Sequence, residues 1–99
     1  MPKISKNKTK KIQEQILFYL YTIFPKQVFT SQIAEEIARD EEFTKKLLFD
    51  LLNKGLIVKI NKNPKGVRYL KRLRWRLSNK AYEIYKNYQD KSQIIYFKT

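Results

Sequence analysis

Residues 30–57 read TSQIAEEIARDEEFTKKLLFDLLNKGLI and carry two helix patterns in close succession. The first has three apolar residues at the spacing of one helix face, after Thr30 or Ser31 as a candidate N-cap. The second has leucines at three- and four-residue spacing between Asp40, a favourable N-cap, and Gly55, a favourable stop. The stretch therefore predicts a short helix that ends near residue 39 and a longer helix after it.

A third amphipathic pattern precedes this stretch. Apolar side chains repeat at three- and four-residue spacing over residues 10–24, which predicts a helix that Pro25 ends. Val28 and Phe29 then predict a short extended segment. Residues 1–9 are rich in lysine and poor in apolar side chains, so we expect a flexible basic arm there.

A β-hairpin is predicted after the stretch. Residues 56–60 are apolar and β-branched, residues 63–66 (NPKG) have the composition of a type I turn, and residues 67–77 alternate. On the second strand, apolar and aromatic side chains share one face, with Lys71 as the exception, and four arginines share the other. We expect the apolar face in the core and the arginine face in solvent.

A closing helix and an apolar tail complete the predicted order. Ser78 or Asn79 can cap a helix over the residues that follow. Residues 10–89 then form one domain, and residues 90–99 form an apolar tail. The stripe on the closing helix consists of Ala81, Ile84, Tyr85 and Tyr88. This stripe and the tail can either pack on their own chain or form a dimer interface.

The composition of the chain excludes most kinds of catalysis and metal binding. The chain has 99 residues, of which 22 are Lys or Arg and 9 are Asp or Glu, and it has no His and no Cys. That length permits one small domain. Without His or Cys the chain lacks the commonest general base, metal ligands and thiol nucleophile. The sequence therefore predicts no enzymatic activity, no metal and no cofactor. The apolar run over residues 16–24 is too short to span a membrane.

Positive charge is concentrated in one segment. Residues 56–80 hold nine Lys or Arg and no acid, and four of the five arginines of the chain lie between positions 68 and 76. Such a segment attracts polyanions, and Arg suits phosphate oxygens and guanine edges, so nucleic acid is the expected partner. We expect these cations to bind phosphates, with an ordinary solvated surface as the alternative. The hairpin candidates are Lys62, Lys65, Arg68, Lys71, Arg72, Arg74 and Arg76.

Helix 41–54 has a second candidate surface. At about 100° per residue its leucines and Thr44 form a core arc. The opposite arc holds Glu42, Lys46, Phe49 and Asn53, flanked by Lys45 and Asp50. Lysine can contact guanine, asparagine adenine, glutamate the cytosine amino group and phenylalanine the thymine methyl group. The alternative is a solvated face, although an exposed phenylalanine also suggests contact with DNA or a partner chain.

The order of three helices, basic hairpin and closing helix resembles the winged helix-turn-helix superfamily over residues 10–89. Residues 30–38 (TSQIAEEIA) look like the first helix of the motif, residues 48–57 (LFDLLNKGLI) resemble a recognition helix that runs into the wing, and residues 75–81 (WRLSNKA) resemble the last strand and its closing helix. In size and composition the chain is most similar to small transcriptional regulators of archaea and their viruses.

This resemblance implies a mostly α, α+β fold and a DNA-binding regulator, usually a homodimer. It places helix 41–54 in the major groove and the wing, residues 59–76, on the phosphate backbone. The preferred hypothesis is sequence-specific binding of double-stranded DNA in transcription regulation, with no membrane or small-molecule partner. The expected location is cytoplasmic, or the host cytoplasm for a viral protein.

Three alternatives remain open at the sequence level. One is a sequence-independent nucleic-acid binder in packaging or replication. Another is a protein–protein interaction module that uses the acidic first turn of helix 41–54. Tyr69 and Trp75 could also stack on single strands, although their position among the apolar residues of the second strand favours the core. The basic arm could enter a minor groove or remain an unstructured tail.

Overall fold

Four helices and a three-stranded antiparallel sheet form the described part of the chain. The computed structural model describes residues 6–60 and 73–97, with side chains up to residue 89 in the second range. The elements are α1 (Lys6–Ile23), β1 (Val28–Phe29), α2 (Thr30–Glu36), α3 (Glu41–Asn53), β2 (Ile57–Ile60), β3 (Arg74–Leu77) and α4 (Asn79–Phe97). The strand order is β1–β3–β2, so the predicted extended segment adds a strand to the predicted hairpin.

Helix α1 begins earlier than predicted. It starts at Lys6 instead of residue 10, so residues 6–9 of the predicted arm are helical. The prediction followed the apolar pattern, which begins at Ile12. Lysine is a good helix former and extends the helix past that point without a buried face. Ile12, Ile16 and Leu20 are buried, as the pattern predicts.

The start of α2 differs from the prediction. Its N-cap is Phe29, whose backbone N–H donates to Gln32 Oε1 at 2.9 Å. Thr30, a predicted cap, lies inside the helix and is buried. Its hydroxyl instead accepts a hydrogen bond from Trp75 Nε1 at 2.8 Å. The Thr30 hydroxyl, which the local sequence pattern predicted as a cap, is therefore used in a hydrogen bond with a residue 45 positions away.

Both predicted ends of α3 are confirmed. The N–H of Phe43 donates to Asp40 Oδ2 at 3.0 Å, so Asp40 is the N-cap. At the other end Gly55 has φ +75°, in the left-handed region that favours glycine. The N–H of Leu56 donates to Leu51 O at 3.1 Å and closes the helix.

Replacing Asp40 with alanine is expected to lower the free energy of unfolding by about 0.5–2 kcal/mol, because the Phe43 N–H loses its acceptor. Asp40→Asn is the matched control, since asparagine caps as well as aspartate and should stay within a few tenths of a kcal/mol. Urea unfolding followed by circular dichroism measures both variants. Equal losses in the two would show that charge, not capping, carries the effect.

The predicted alternation of the second strand holds over its described part. Trp75 and Leu77 are fully buried, whereas Arg74 and Arg76 are half-buried on the opposite face. Trp75 lies beside Val28 of β1 and Lys59 of β2, at the centre of the sheet. The predicted turn and the strand residues between positions 61 and 72, Tyr69 among them, lie outside the described residues.

Helix α4 is longer than predicted. Ser78 is its cap, because its Oγ accepts from the Ala81 N–H at 3.1 Å. The helix continues to Phe97, so residues 90–97 of the predicted tail are helical. No Gly or Pro occurs between Asn79 and Phe97 to end it earlier.

Candidate nucleic-acid interface

Helix α3 is held against α1 by a polar contact. Gln13 of α1 is buried, with 6% of its surface exposed. Its Nε2 donates to Asp50 Oδ2 at 2.9 Å and is 3.5 Å from the carbonyl oxygen of Leu47. The same carboxylate oxygen is 3.1 Å from Lys54 Nζ. Asp50, predicted as a flanking residue of the DNA-facing arc, thus joins α3 to α1.

The other flank of α3 packs on the sheet. The Phe49 ring meets the Trp75 ring edge-on, with centroids 5.4 Å apart and an interplanar angle of 90°. Lys59 Nζ of β2 lies 5.6 Å from the Phe49 centroid. Phe49 is therefore half-buried instead of fully exposed, and its contact with a thymine methyl group or partner chain stays a prediction. The helical wheel could not show that the sheet covers this side of α3.

Between these two flanks α3 presents a polar arc. Glu42, Lys46 and Asn53 are exposed and follow one another at separations of four and seven positions, so they lie along one line of the helix. Lys45 is also exposed and lies nearer the sheet. The structure thus brings together four of the six predicted α3 residues on one accessible surface. Both flanking contacts fix the rotation of α3 about its axis, which fixes where this arc points.

The two described hairpin arginines lie elsewhere. Because Trp75 faces α3, Arg74 and Arg76 are on the face of β3 away from it. The Arg74 guanidinium carbon lies 4.8 Å from the Phe29 centroid. Arg76 Nη1 donates to Leu77 O at 2.8 Å, and its guanidinium carbon is 6.0 Å from the Phe24 centroid.

These contacts give Arg74 and Arg76 partners within the protein, where the sequence predicted contacts with phosphate. Arginine stacks well on aromatic rings, so both residues tie the sheet to the chain around it. The other predicted hairpin cations lie outside the described residues. They are Lys62, Lys65, Arg68, Lys71 and Arg72.

Two residues of this surface, Lys54 and Gln13, were missed at the sequence level, and a third, Lys59, was predicted only as part of the wing. Lys59 shares the face of buried Ile57, so alternation along β2 could have placed it on the α3 side. Lys54 lies one turn after Asp50, a spacing that predicts an ion pair. Gln13 had no local signal, because its role depends on Asp50, 37 positions away.

The Asp50 carboxyl has a lowered pKa. The hydrogen bond from Gln13 is the largest cause, followed by the hydrogen bond from Lys54. A lowered pKa means that the contact stabilises the fold above the usual carboxyl pKa and that this contribution is lost as pH falls through the lowered value. The contact between α1 and α3 is therefore intact at neutral pH.

Replacing Gln13 with leucine is expected to raise the pKa of Asp50 towards its ordinary value of 3.8, because the largest favourable contact with the carboxylate is lost. Titration of the side-chain carboxyl by carbon NMR measures the change. Gln15→Leu, at an exposed position of the same helix, is the control. An unchanged pKa in Gln13→Leu would contradict the assigned hydrogen bond.

A surface cleft lies between α1 and α2. It has a volume of about 240 Å³ and is lined by Gln15, Phe18, Tyr19, Thr22, Glu36 and Ile37. Burial, and after it the charge of Glu36, raise the pKa of Tyr19. No sequence pattern predicted this cleft. Across residues 6–60 and 73–97, no group of acidic side chains is arranged to hold a metal ion.

No helix within the described ranges combines the length and the apolarity that crossing a membrane requires.

The helix pair α2–α3, the paired strands β2 and β3 and the closing helix α4 follow one another in the order of a winged helix-turn-helix fold. Solved structures share this fold. A mutant of Lactococcus lactis ZitR in apo form has a TM-score of 0.63 and 20% identity, over 91% of this chain and 65% of that chain. Another structure of L. lactis ZitR is described as a zinc-responsive MarR family member, with a TM-score of 0.58, 20% identity and coverage of 98% and 61%.

Staphylococcus aureus MepR gives similar values. A mutant bound to an oligodeoxyribonucleotide has a TM-score of 0.65 and 21% identity, over 89% of this chain and 63% of that chain. MepR is described as a transcription regulator of the multidrug efflux pump MepA. The chain therefore spans somewhat less than two thirds of the length of these neighbours. Neither a protein-family model nor a curated protein sequence matches the chain.

Proposed function

We propose that the chain binds double-stranded DNA sequence-specifically and regulates transcription, with α3 in the major groove. The observation that carries this proposal is the fixed, polar arc of α3. Gln13 holds one flank and Trp75 the other, while Glu42, Lys46 and Asn53 remain exposed. A helix held in one rotation can present the same side chains to base edges at each encounter, as direct readout requires.

The basic residues beside α3 would supply the affinity. Lys59 projects on the α3 side of the sheet, and the hairpin segment that follows continues the positive charge. Electrostatic contacts with phosphates position a protein on DNA and depend on salt. In this proposal Lys59 and the hairpin cations outside the described residues bind phosphate. Arg74 and Arg76 support the sheet instead.

The structural neighbours support this function. One MepR structure contains an oligodeoxyribonucleotide, MepR is described as a transcription regulator, and ZitR is described as a zinc-responsive MarR family member. The absence of His and Cys from the sequence removes the usual zinc ligands and supports a protein without enzymatic activity. The similarity to archaeal and viral regulators and the cytoplasmic location remain predictions.

Selection from a randomised duplex library at about physiological salt tests the proposal. We expect an enriched motif among the DNA fragments that the purified protein retains. Retention without a motif would favour the sequence-independent binder in packaging or replication. No retention would favour the protein–protein interaction module, and binding to single strands alone would favour a stacking role.

We also propose that the regulator is a homodimer that pairs through α4. The predicted stripe divides in the structure. Ala81 is buried and Tyr85 stacks on Tyr21 of α1 with centroids 5.3 Å apart. Ile84 and Tyr88 remain 55% and 72% exposed, one turn apart on the same side of the helix. Large apolar side chains at this spacing are typical of a helix that pairs with a partner.

Replacing Ile84 and Tyr88 with glutamine is expected to convert the dimer into a monomer, because the apolar contact between copies is lost. Sedimentation equilibrium measures the change from twice the chain mass of 12.0 kDa to that mass. Lys86→Gln, an exposed position on another side of α4, is the control and should stay dimeric. A wild-type monomer at micromolar concentration would overturn the proposed pairing.

A further inference from the structure

A pair of lysines lies on the side of α1 that meets α3. The first two turns of α1 carry four exposed lysines, Lys6, Lys8, Lys10 and Lys11. At about 100° per residue, Lys6 and Lys10 lie within roughly 60° of Gln13 around the helix. Lys8 and Lys11 lie about 140–160° away from it. The four positive charges therefore divide into a pair that faces the α3 side and a pair that faces away.

The first pair is also close to α3 along the axis of α1. With a rise of about 1.5 Å per residue, Lys10 is about 4.5 Å and Lys6 about 10 Å from the level of Gln13. Gln13 is in direct contact with α3 through Asp50. Lys54 lies on the same flank, where its charge is paired with that of Asp50 at 3.1 Å. The net positive charge on the flank of α3 opposite the sheet therefore comes from Lys6 and Lys10.

The dimensions of duplex DNA place a phosphate backbone beside this flank of α3 when α3 lies in the major groove. The major groove is about 12 Å wide and is bounded by a phosphate backbone on each side, so a helix in the groove has phosphates along both flanks. Lys59 and the paired strands β2 and β3 lie on one flank of α3. The α1 lysines lie on the other. Positive charge on both flanks of α3 is complementary to the two phosphate backbones of duplex DNA. An acidic protein has no comparable pair of negatively charged edges, so the charge distribution favours duplex DNA.

We infer that Lys6 and Lys10 contact the phosphate backbone on the α1 side of the recognition helix. This inference rests on the proposed DNA-binding function and extends the interface beyond α3 and the wing. The two lysines contribute affinity without base selectivity, because phosphate contacts carry no sequence information directly. The DNA is thus held between α1 and the hairpin.

Two double variants of equal charge test the inference. Lys6→Gln with Lys10→Gln removes the pair on the α3 side, and Lys8→Gln with Lys11→Gln removes the pair on the other side. For the first, loss of two phosphate contacts is expected to reduce the salt slope, d log K/d log [salt], by about 1.8 units and the affinity by roughly 30-fold near 0.15 M salt. The Lys8 and Lys11 variant should change the salt slope and the affinity by much less. Fluorescence anisotropy on the selected duplex at several salt concentrations gives both quantities.

Ethylation interference locates the contacts. In the wild type, ethylated phosphates on both edges of the groove should block binding, and the Lys6 and Lys10 variant should lose interference at one edge. Equal effects of the two double variants would show a dependence on net charge alone and would overturn the inference. No effect of either variant would overturn it as well. If the wild type itself does not bind duplex DNA, the proposed function fails before the inference is reached.

Discussion

Replacing Trp75 with alanine is expected to lower the free energy of unfolding by about 3–5 kcal/mol. Trp75 is fully buried at the centre of the sheet. Its ring packs on Phe49 of α3, and its Nε1 donates to Thr30 of α2. One side chain thus joins the sheet to both helices of the motif. Stabilities of small domains are about 5–15 kcal/mol, so this loss takes up a large fraction of the total.

Two further variants separate the contributions of this side chain. Trp75→Phe keeps an aromatic ring but loses the hydrogen bond to Thr30, and Thr30→Val removes the acceptor and leaves a buried N–H unpaired, at a cost of about 1–3 kcal/mol. Phe18→Ala is the control, because that ring is 50% exposed and its loss should change stability little. Urea unfolding monitored by circular dichroism measures all four. A loss below about 1 kcal/mol in Trp75→Ala would contradict its central place in the core.

The features that sequence predicted correctly depend on near neighbours in the chain. Asp40 caps α3 and Gly55 ends it through bonds to residues within five positions. Ser78 caps α4 in the same way. The buried face of α3 follows from helical periodicity, and the burial of Trp75 follows from alternation. Local signals of this kind need no knowledge of the tertiary structure.

The features that the sequence did not predict are contacts between distant elements. Phe49 lies opposite the core arc on a helical wheel, yet the sheet reaches it through Trp75. Alternation correctly placed Arg74 away from the core, but it could not show that Phe29 of β1 lies against the guanidinium. Local pattern predicted the Thr30 hydroxyl as a cap, but in the fold it accepts a hydrogen bond from Trp75. Each of these side chains has a partner at least 20 positions away.

The acidic start of α3 has a structural explanation. Asp40 accepts the Phe43 N–H as the N-cap, and Glu41 and Glu42 lie in the first turn, where negative charge favours the helix dipole. The protein–protein alternative used this acidity as its main support. Because capping and the dipole account for the charge at the first turn, an acidic docking surface is not needed to explain it. Glu42 remains exposed and can accept a hydrogen bond from a cytosine amino group.

Replacing Lys46 with alanine is expected to change which DNA sequences are preferred, by about 1–3 kcal/mol at one base pair. Lys46 lies at the middle of the exposed arc of α3, where a side chain in the groove meets base edges. Asn53→Ala should relax preference at a different base pair, since asparagine pairs with adenine. Lys59→Gln is the comparison. It removes a charge beside α3 without touching the arc, so affinity should fall on all duplexes alike, with a salt slope reduced by about 0.9.

The measurement that separates base contacts from phosphate contacts is repeated library selection with each variant, followed by binding titrations on the wild-type motif and on single-base changes of it. If Lys46 and Asn53 contact bases, the motifs selected by Lys46→Ala and by Asn53→Ala differ from the wild-type motif at different positions. Lys59→Gln should select the wild-type motif. Unchanged motifs in all three variants would mean that the α3 arc does not read bases. If the Lys46, Asn53 and Lys59 variants all lost affinity equally on every duplex, the whole surface would be a phosphate-binding face. That result would favour the sequence-independent binder.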